Sequence, residues 1–266
     1  MRKSLLGLST AVALGTPMLA SAQQAATTPP PYTFTANVSL ISEYLYRGIA
    51  QTRGKPAVQG GFDFAHSSGF YVGTWESNIS WLSDAGASAS LEADIYGGYK
   101  NTFAKDFGYD LGVLTYNYPG TNMPSPKPDT TEVYGALSWK WLSLKYSYAT
   151  TNLFGIPDSK GSDYIDLSGT YDLGSGFSLI GHVGHQTVHN FGDASYTDWK
   201  IGASKDFGVG VLTLYYSDTN AKDDCSNGPA GPGQTTQPYC FGLASDSTST
   251  YQAGKGRVVV SFGKTF

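Results

Sequence analysis

The chain has 266 residues, of which 14% are charged and 14% aromatic, and it contains 33 glycines. Soluble domains carry roughly 25% charged residues, so this composition disfavours a soluble surface and favours strands with one face toward lipid and the other toward water. The formal net charge of −4 and the absence of a basic stripe in the sequence argue against nucleic acid as a partner.

The N-terminus has the organisation of a cleaved secretory signal peptide. A basic dipeptide, Arg2-Lys3, precedes a mostly apolar run over residues 5–19, and a small-x-small cleavage site follows at 20–22. The run is too short to form a stable membrane helix. The predicted organisation is a signal peptide at 1–22, a flexible tail at 23–31 and one β-barrel domain at 32–266.

Alternation of apolar and polar residues recurs along the rest of the chain. In the first segment Phe34, Val38 and Leu40 share one face, while Thr35 and Ser39 share the other, as in a half-buried strand. No stripe of helical period and length interrupts the pattern, so we expect an all-β fold. Twelve strands are predicted, near residues 33–40, 58–65, 70–76, 91–100, 109–117, 132–139, 142–148, 165–171, 177–186, 199–204, 209–217 and 258–266.

The connections between these strands alternate strictly between short and long. An even number of strands with tight turns at one end and long loops at the other is typical of bacterial outer-membrane barrels, whose termini lie on the periplasmic, short-turn side. A secreted β-sandwich is the alternative, but a sandwich has no reason to sort its loops by length. The long connections are 42–56, 77–89, 118–130, 150–162, 188–197 and 218–252.

The first long loop carries Arg47. If this loop folds inward, the guanidinium could pair with Glu76 or Glu92 and create a constriction with opposed charges. The alternative is that Arg47 only ties the loop to the barrel rim. The sequence leaves both open.

Charged residues on the polar faces are expected to point into the lumen. They either form salt bridges that fill a narrow barrel or line a water-filled pore. Eight strands enclose only side chains and sixteen leave a channel, so twelve strands decide neither. The candidate pore-lining residues are Asp63, Glu92, Asp94, Lys100, Asp110, Glu132, Lys145, Asp166 and Lys200, with His182 among them.

The histidines give no convincing catalytic or metal site. His66 and Ser68 have the spacing of the catalytic pair in a twelve-stranded membrane phospholipase, but they fall in a tight turn instead of mid-strand. His182 and His185 lie in one strand on opposite faces and cannot share a metal ion. We therefore predict no enzyme activity, no metal and no cofactor.

The two cysteines, Cys225 and Cys240, bracket a Gly- and Pro-rich stretch of the longest loop. In an oxidising envelope we expect them to form one disulfide, which shortens this loop. A metal site is disfavoured because no histidine lies near them in the sequence.

The C-terminal strand ends in Phe266, with Val258, Val260 and Phe262 on the same face. An aromatic last residue after alternating apolar positions is similar to the signal that the outer-membrane assembly machinery reads, and we assign Phe262 and Phe266 to it. Lys264 departs from that pattern and is expected to snorkel toward the headgroups.

Several stretches taken together resemble one known family. They include the first loop, SEYLYRGIAQT at 42–52, and the segments GFYVGTWESN at 69–78, LEADIYGGY at 91–99 and TEVYG at 131–135. The succession is similar to the TorF/Gcw_chp-type family of proteobacterial outer-membrane proteins classed as porins, and the likeness covers nearly the whole mature chain. It implies a barrel in the Gram-negative outer membrane, in contact with lipid, whose solute is not established. The Cys-bracketed loop is not among the stretches that carry this resemblance.

These observations lead to one expected function and two alternatives. The expected function is passive diffusion of small polar or ionic solutes through a narrow pore that mildly favours cations, since acidic residues predominate on the lumen face. The alternatives are a pore-less structural or adhesion barrel and a lipid-modifying barrel enzyme.

Overall fold

The computed structural model describes residues 30–123, 125–228 and 236–266. The predicted signal peptide at 1–22, its cleavage site and most of the predicted tail at 23–31 lie outside the described residues. The strands are β1 (Tyr32–Ile41), β2 (Leu45–Tyr46), β3 (Ile49–Ala50), β4 (Ala57–His66), β5 (Phe70–Asn78), β6 (Leu91–Ala104), β7 (Phe107–Asn117), β8 (Thr130–Trp139), β9 (Leu142–Ala149), β10 (Asp163–Gly174), β11 (Phe177–Thr187), β12 (Tyr196–Asp206), β13 (Val211–Thr219), β14 (Cys240–Leu243), β15 (Asp246–Gln252) and β16 (Arg257–Thr265).

Twelve of these strands form one closed antiparallel barrel. Each strand pairs with its neighbour in the chain, and β16 pairs with both β13 and β1 to close the ring. Asn37 of β1 lies opposite Thr265 of β16, and the last residue, Phe266, exchanges two backbone hydrogen bonds with Ala36. The prediction of a twelve-stranded antiparallel barrel is confirmed.

The barrel has two different ends. At one end, which we call the turn end, strands are joined by connections of two to four residues, such as 67–69 and 140–141. At the other, the loop end, the connections are 42–56, 79–90, 118–129, 150–162, 188–195 and 220–256. The predicted alternation of short and long connections is therefore present.

The outer face of the barrel is apolar. Large hydrophobic side chains stand exposed at alternate positions of every barrel strand, for example Phe34 at 65%, Ile201 at 63% and Val258 at 65% of their full accessible area. Intervening side chains point inward, because successive residues of a strand face opposite sides. The fold thus turns its hydrophobic side chains outward, the reverse of a water-soluble domain.

Two small hairpins and two short helices lie in the loops. The hairpin β2–β3 occupies the first loop, and β14–β15 lies in the last loop. A single helical turn, α1 (Trp81–Asp84), and a 3₁₀ turn (Gly192–Ala194) complete the elements. Among the described residues no helix is both long enough and apolar enough to cross a membrane.

Candidate functional site

The nine candidate pore-lining residues all occupy inward-facing positions. Most of them alternate with exposed apolar neighbours on their own strand; Glu92 and Asp94, for instance, alternate with the outward-facing Leu91 and Ile95. Whether these side chains line an ion path remains a prediction, but they share the lumen.

Glu76 is placed differently from the expectation. It lies on β5 next to the buried, inward-facing Trp75, so its own side chain faces outward with Phe70 and Val72. The hypothesis that Glu76 takes part in a lumen constriction is therefore wrong, because strand alternation sets it on the opposite side of the wall.

The hairpin β2–β3 folds into the loop end of the lumen. Its two-residue turn consists of Arg47 and Gly48, both with positive φ (46° and 79°), as required of a tight turn that matches the strand twist. A Cβ on Gly48 would lie 2.8 Å from the Cβ of Asp198 on β12. Glycine therefore lets the hairpin tip approach the barrel wall closely.

Arg47 joins the hairpin to two walls of the barrel. Its guanidinium donates to Glu132 Oε2 at 2.7 Å and to Gln186 Oε1 at 2.6 Å, and it lies 4.2 Å from the centre of the Tyr164 ring. Of the two alternatives that the sequence leaves open, the loop folds inward, and the partner of Arg47 is Glu132 instead of Glu76 or Glu92. Glu76 is on the outer face, and Glu92 is held by other groups.

Glu92 is bound by two phenols of neighbouring loops. Tyr44 donates to it at 2.7 Å and Tyr118 at 3.1 Å. Burial and the adjacent Glu92 carboxylate raise the pKa of Tyr44, so its hydroxyl remains a donor. Nearby, Asp94 is 3% exposed and its Oδ1 has no hydrogen-bond partner among the described residues.

His182 on β11 links two carboxylates, one on each of the neighbouring strands β10 and β12. Its Nε2 contacts Asp198 Oδ2 at 2.6 Å, and its Nδ1 contacts Asp166. Tyr164 donates to Asp198 at 2.8 Å, so the cluster continues to the ring beneath Arg47. Asp198 was not among the predicted site residues, although it shares the inward parity of Lys200, two positions away.

Toward the turn end, tyrosine rings of the lumen lie against glycines or beneath lysines. A Cβ on Gly112 would lie 2.5 Å from the Tyr134 ring, so this tyrosine lies flat on the wall where glycine leaves room. Lys145 stands over the other face of that ring, 3.8 Å from its centre. The Tyr96 ring lies on Gly73 in the same way, and Lys100 and Lys200 stand over the rings of Tyr71 and Tyr215.

The phenols of this region also engage the remaining acids. Tyr96 donates to Asp63 at 2.6 Å and Tyr71 to Asp110 at 2.5 Å. The tyrosines therefore lie along the wall with their hydroxyls on carboxylates, and they do not project across the lumen.

Exposure differs sharply between the two ends of the lumen. At the loop end Tyr116 is 1%, Glu132 2% and Asp198 1% exposed, with the hairpin packed among them. Toward the turn end Asp63, Asp110 and Lys145 are half-buried and Lys100 is exposed. The hairpin β2–β3 and the buried side chains around it thus exclude water at the loop end. We call the hairpin together with Glu92, Asp94, Tyr116, Glu132 and Asp198 the plug layer.

The last loop covers the plug layer from outside. Ala50 of β3 donates its backbone N–H to Ala253 at 2.9 Å, and Glu43 of the first loop pairs with Arg257 at 3.0 Å. Cys225 and Cys240 form a disulfide within this loop, as the sequence predicts.

Other candidate sites are not assembled. Within the described part of the chain, no group of three or more His, Cys, Asp and Glu side chains is arranged to hold a metal ion. His66 and Ser68 contact each other at 2.7 Å in an exposed turn.

Comparison with known proteins places the chain among bacterial barrels. A family model described as "Bacterial protein of unknown function (Gcw_chp)" matches residues 24–241. The TorF part of the resemblance stays a prediction. No curated protein matches the sequence.

Among solved structures the chain is similar to porins. The KdgM porin aligns with a TM-score of 0.52 at 7% identity over 87% of this chain and 99% of that chain. The KdgM porin in complex with disordered oligogalacturonate aligns with a TM-score of 0.51 at 8% identity, covering 88% and 99%. The NanC porin aligns with a TM-score of 0.47 at 10% identity, covering 88% and 98%. At these identities the likeness shows the fold.

Proposed function

Because the chain belongs to the Gcw_chp family of bacterial proteins of unknown function, and because its fold is that of the KdgM porin, we propose that it is an outer-membrane porin. Small polar or ionic solutes diffuse passively through its lumen, the turns face the periplasm and the long loops face outside. The chain reaches the membrane after signal-peptide cleavage and insertion by the assembly machinery.

One observation carries this proposal: a closed barrel with an apolar outer face encloses a wall of charged, phenolic and hydroxyl side chains. Such a distribution suits lipid outside and water inside. The half-buried and exposed groups toward the turn end, such as Lys100 and Asp110, support a water-filled vestibule on that side. The KdgM porin, whose fold this chain shares, has been solved in complex with disordered oligogalacturonate.

The plug layer closes the pore in this conformation, so passage of solute depends on its movement. With Arg47 bound to Glu132 and the last loop above it, solute passage requires the hairpin β2–β3 to leave the lumen. Polar contacts such as Arg47 with Glu132 can be replaced by water, but Tyr46 also packs against the rings of Tyr116 and Phe154, so release of the hairpin would expose apolar surface as well. We place the gate of the pore in this hairpin.

A mild preference for cations is part of the proposal. Among the described inward-facing residues the carboxylates outnumber the lysines and arginines. A low-dielectric wall amplifies such an excess in a narrow pore.

A second candidate function follows from the same plug layer. If the hairpin never leaves, the barrel is a structural or adhesion protein that presents its loops. Planar-bilayer recording of the refolded protein separates the two: discrete conductance steps support the porin, and a silent bilayer containing folded protein supports the pore-less barrel.

A further inference from the structure

The outer wall of the barrel contains a recess beside an unpaired carboxylate. On the outward face the row of residues across β4, β5 and β6 is Gly60, Glu76 and Ala93, in register. Small neighbours on both sides leave the Glu76 side chain in a depression of about 300 Å³. Its walls include Val38, Val58, Phe62 and Leu91, all exposed on the outer surface.

Glu76 has no hydrogen bond and no ion pair within the described parts of the chain. Its neighbour on the outer face, Asn78, spends its side-chain oxygen on the backbone of Val58 at 2.8 Å. A carboxylate on the membrane-facing wall is unfavourable unless a compensating group is present. The recess therefore lacks a cationic partner.

The position of Glu76 fits the headgroup level of a bilayer. It lies two residues from the end of β5 at the loop end, roughly 5 Å below that end for a tilted strand. Below it the wall is apolar toward the turn end, where Phe62 and Phe34 stack at 5.9 Å. A polar group at the top with an apolar track beneath is the footprint of a lipid.

Two other occupants fit less well. A divalent cation needs six or more oxygen ligands, and beyond the one carboxylate the recess offers mainly apolar wall. A second copy of this chain would have to supply a basic group at the same height. On the outer face of the described barrel, however, lysines such as Lys205 and Lys264 lie at the turn end.

We propose that this recess binds a lipid whose headgroup carries a primary amine, with the ammonium donating to Glu76 and an acyl chain lying on Phe62. The proposal goes beyond solute passage and rests on the proposed function only in requiring that the barrel lie in a membrane. Charge-assisted hydrogen bonds to a carboxylate shielded by apolar walls supply the selectivity.

Native mass spectrometry after release from nanodiscs tests this site. The nanodiscs contain equal amounts of phosphatidylethanolamine and phosphatidylcholine with the same acyl chains, because the second headgroup has no N–H donor. The wild-type protein should retain the ethanolamine lipid with about tenfold preference. Glu76→Gln should abolish the preference, and Ala93→Leu should do the same by covering Glu76 from the neighbouring strand.

Asp163→Asn is the matched control, because Asp163 is another outward-facing acid at the loop end and lies outside the recess. It should retain the lipid like the wild type. Equal retention of the two lipids by folded wild-type protein, or equal loss in Asp163→Asn, would overturn the proposal. A wild-type dimer that Glu76→Gln converts to a monomer would overturn it in favour of a second copy. Heat-modifiable gel mobility of every variant reports folding separately, and a conductance failure leaves this result unaffected.

Discussion

Arg47 is the residue on which closure of the lumen depends most directly. Its side chain is 9% exposed, and the Glu132 carboxylate that it contacts is 2% exposed. Arginine stays charged at any physiological pH, so the pair is permanent while the hairpin is in place. One guanidinium thus binds side chains of two separate strands, β8 and β11.

Arg47→Ala should open the pore. Removing one partner of a buried ion pair leaves an uncompensated charge, which costs about 3–5 kcal/mol and favours a state with Glu132 in water. Single-channel recording should show a larger open probability than in the wild type. Arg53→Ala, a change in the same loop that removes a contact with Ser249, is the control and should record like the wild type.

Adding Glu132→Gln to Arg47→Ala should bring part of the closed population back, because the neutral amide can stay buried at lower cost. If Arg47→Ala conducts no more than the wild type, the hairpin is not the gate.

The acids of the plug layer give a test of ion preference. Glu92 and Asp94 are 1% and 3% exposed, so a lysine at either position would be buried without a partner and would damage the fold. Neutral replacement is the better experiment. Glu92→Gln with Asp94→Asn should lower the cation-to-anion permeability ratio, measured as a reversal potential in a salt gradient. A reversal potential identical to that of the wild type would show that these acids do not face the ion path.

At the scale of elements, the tyrosines that lie on glycines set the inner surface of the strands. Each glycine gives up its own side chain so that a ring from the neighbouring strand covers the backbone, as Tyr134 covers Gly112. A slip of β8 by one residue against β7 would turn Tyr134 outward and leave Gly112 uncovered, so the pair also fixes the register.

Gly112→Ala should therefore destabilise the barrel by about 1–3 kcal/mol, because the new methyl group collides with the Tyr134 ring and with the backbone oxygen of Gly97. The measurement is the temperature at which the folded band disappears in heat-modifiability gels. Gly192→Ala is the matched control, since a Cβ there meets nothing within 4 Å. Equal transition temperatures for the two variants would show that the ring moves aside freely.

The disulfide acts on the last loop alone. Cys225 and Cys240 are 15 positions apart. In the chain-entropy account, a cross-link of that span raises the free energy of the unfolded loop by about 3 kcal/mol. Cys225→Ser with Cys240→Ser should leave the barrel folded but make the loop at 220–256 cleavable by added protease. Cleavage at equal rates in the wild type and the variant would contradict this.

Period-two patterning predicted the barrel because alternation is local and each strand reports its own two faces. The errors lie where that signal was weak or where distant groups meet. Thr74 and Glu76 put polar residues on the outward face, which blurred the parity of β5. Asp198 would have been found by extending the predicted strand at 199–204 by one residue. The pairing of Arg47 with Glu132 depends on where a loop folds, which no local pattern encodes.

At the scale of the whole molecule, the barrel is closed by its two ends. The backbone N–H groups of Phe266 and Ala36 each donate a hydrogen bond to the other residue's carbonyl oxygen. Five residue pairs join β1 to β16. The last residue thus contributes main-chain bonds to the seam as well as an exposed aromatic ring.

Deleting Phe266 should reduce the folded protein in the membrane far more than deleting residues 24–29. The first change removes two bonds of the seam and the aromatic end of the predicted assembly signal. Quantitative immunoblotting of membrane fractions, with heat-modifiability as the test of folding, measures both. Similar folded amounts for the two deletions would show that the terminal aromatic residue is dispensable.

The seam between β1 and β16 has a consequence for how the chain is made. Its two strands stand at opposite ends of the described sequence, so no earlier pairing can substitute for it. Until the final strand pairs with the first, any partly assembled sheet has two open edges, each offering unpaired amides and carbonyls to any other extended chain. If the barrel is assembled in the outer membrane, as proposed, we expect that chaperones must shield those edges before assembly and that unshielded chains aggregate.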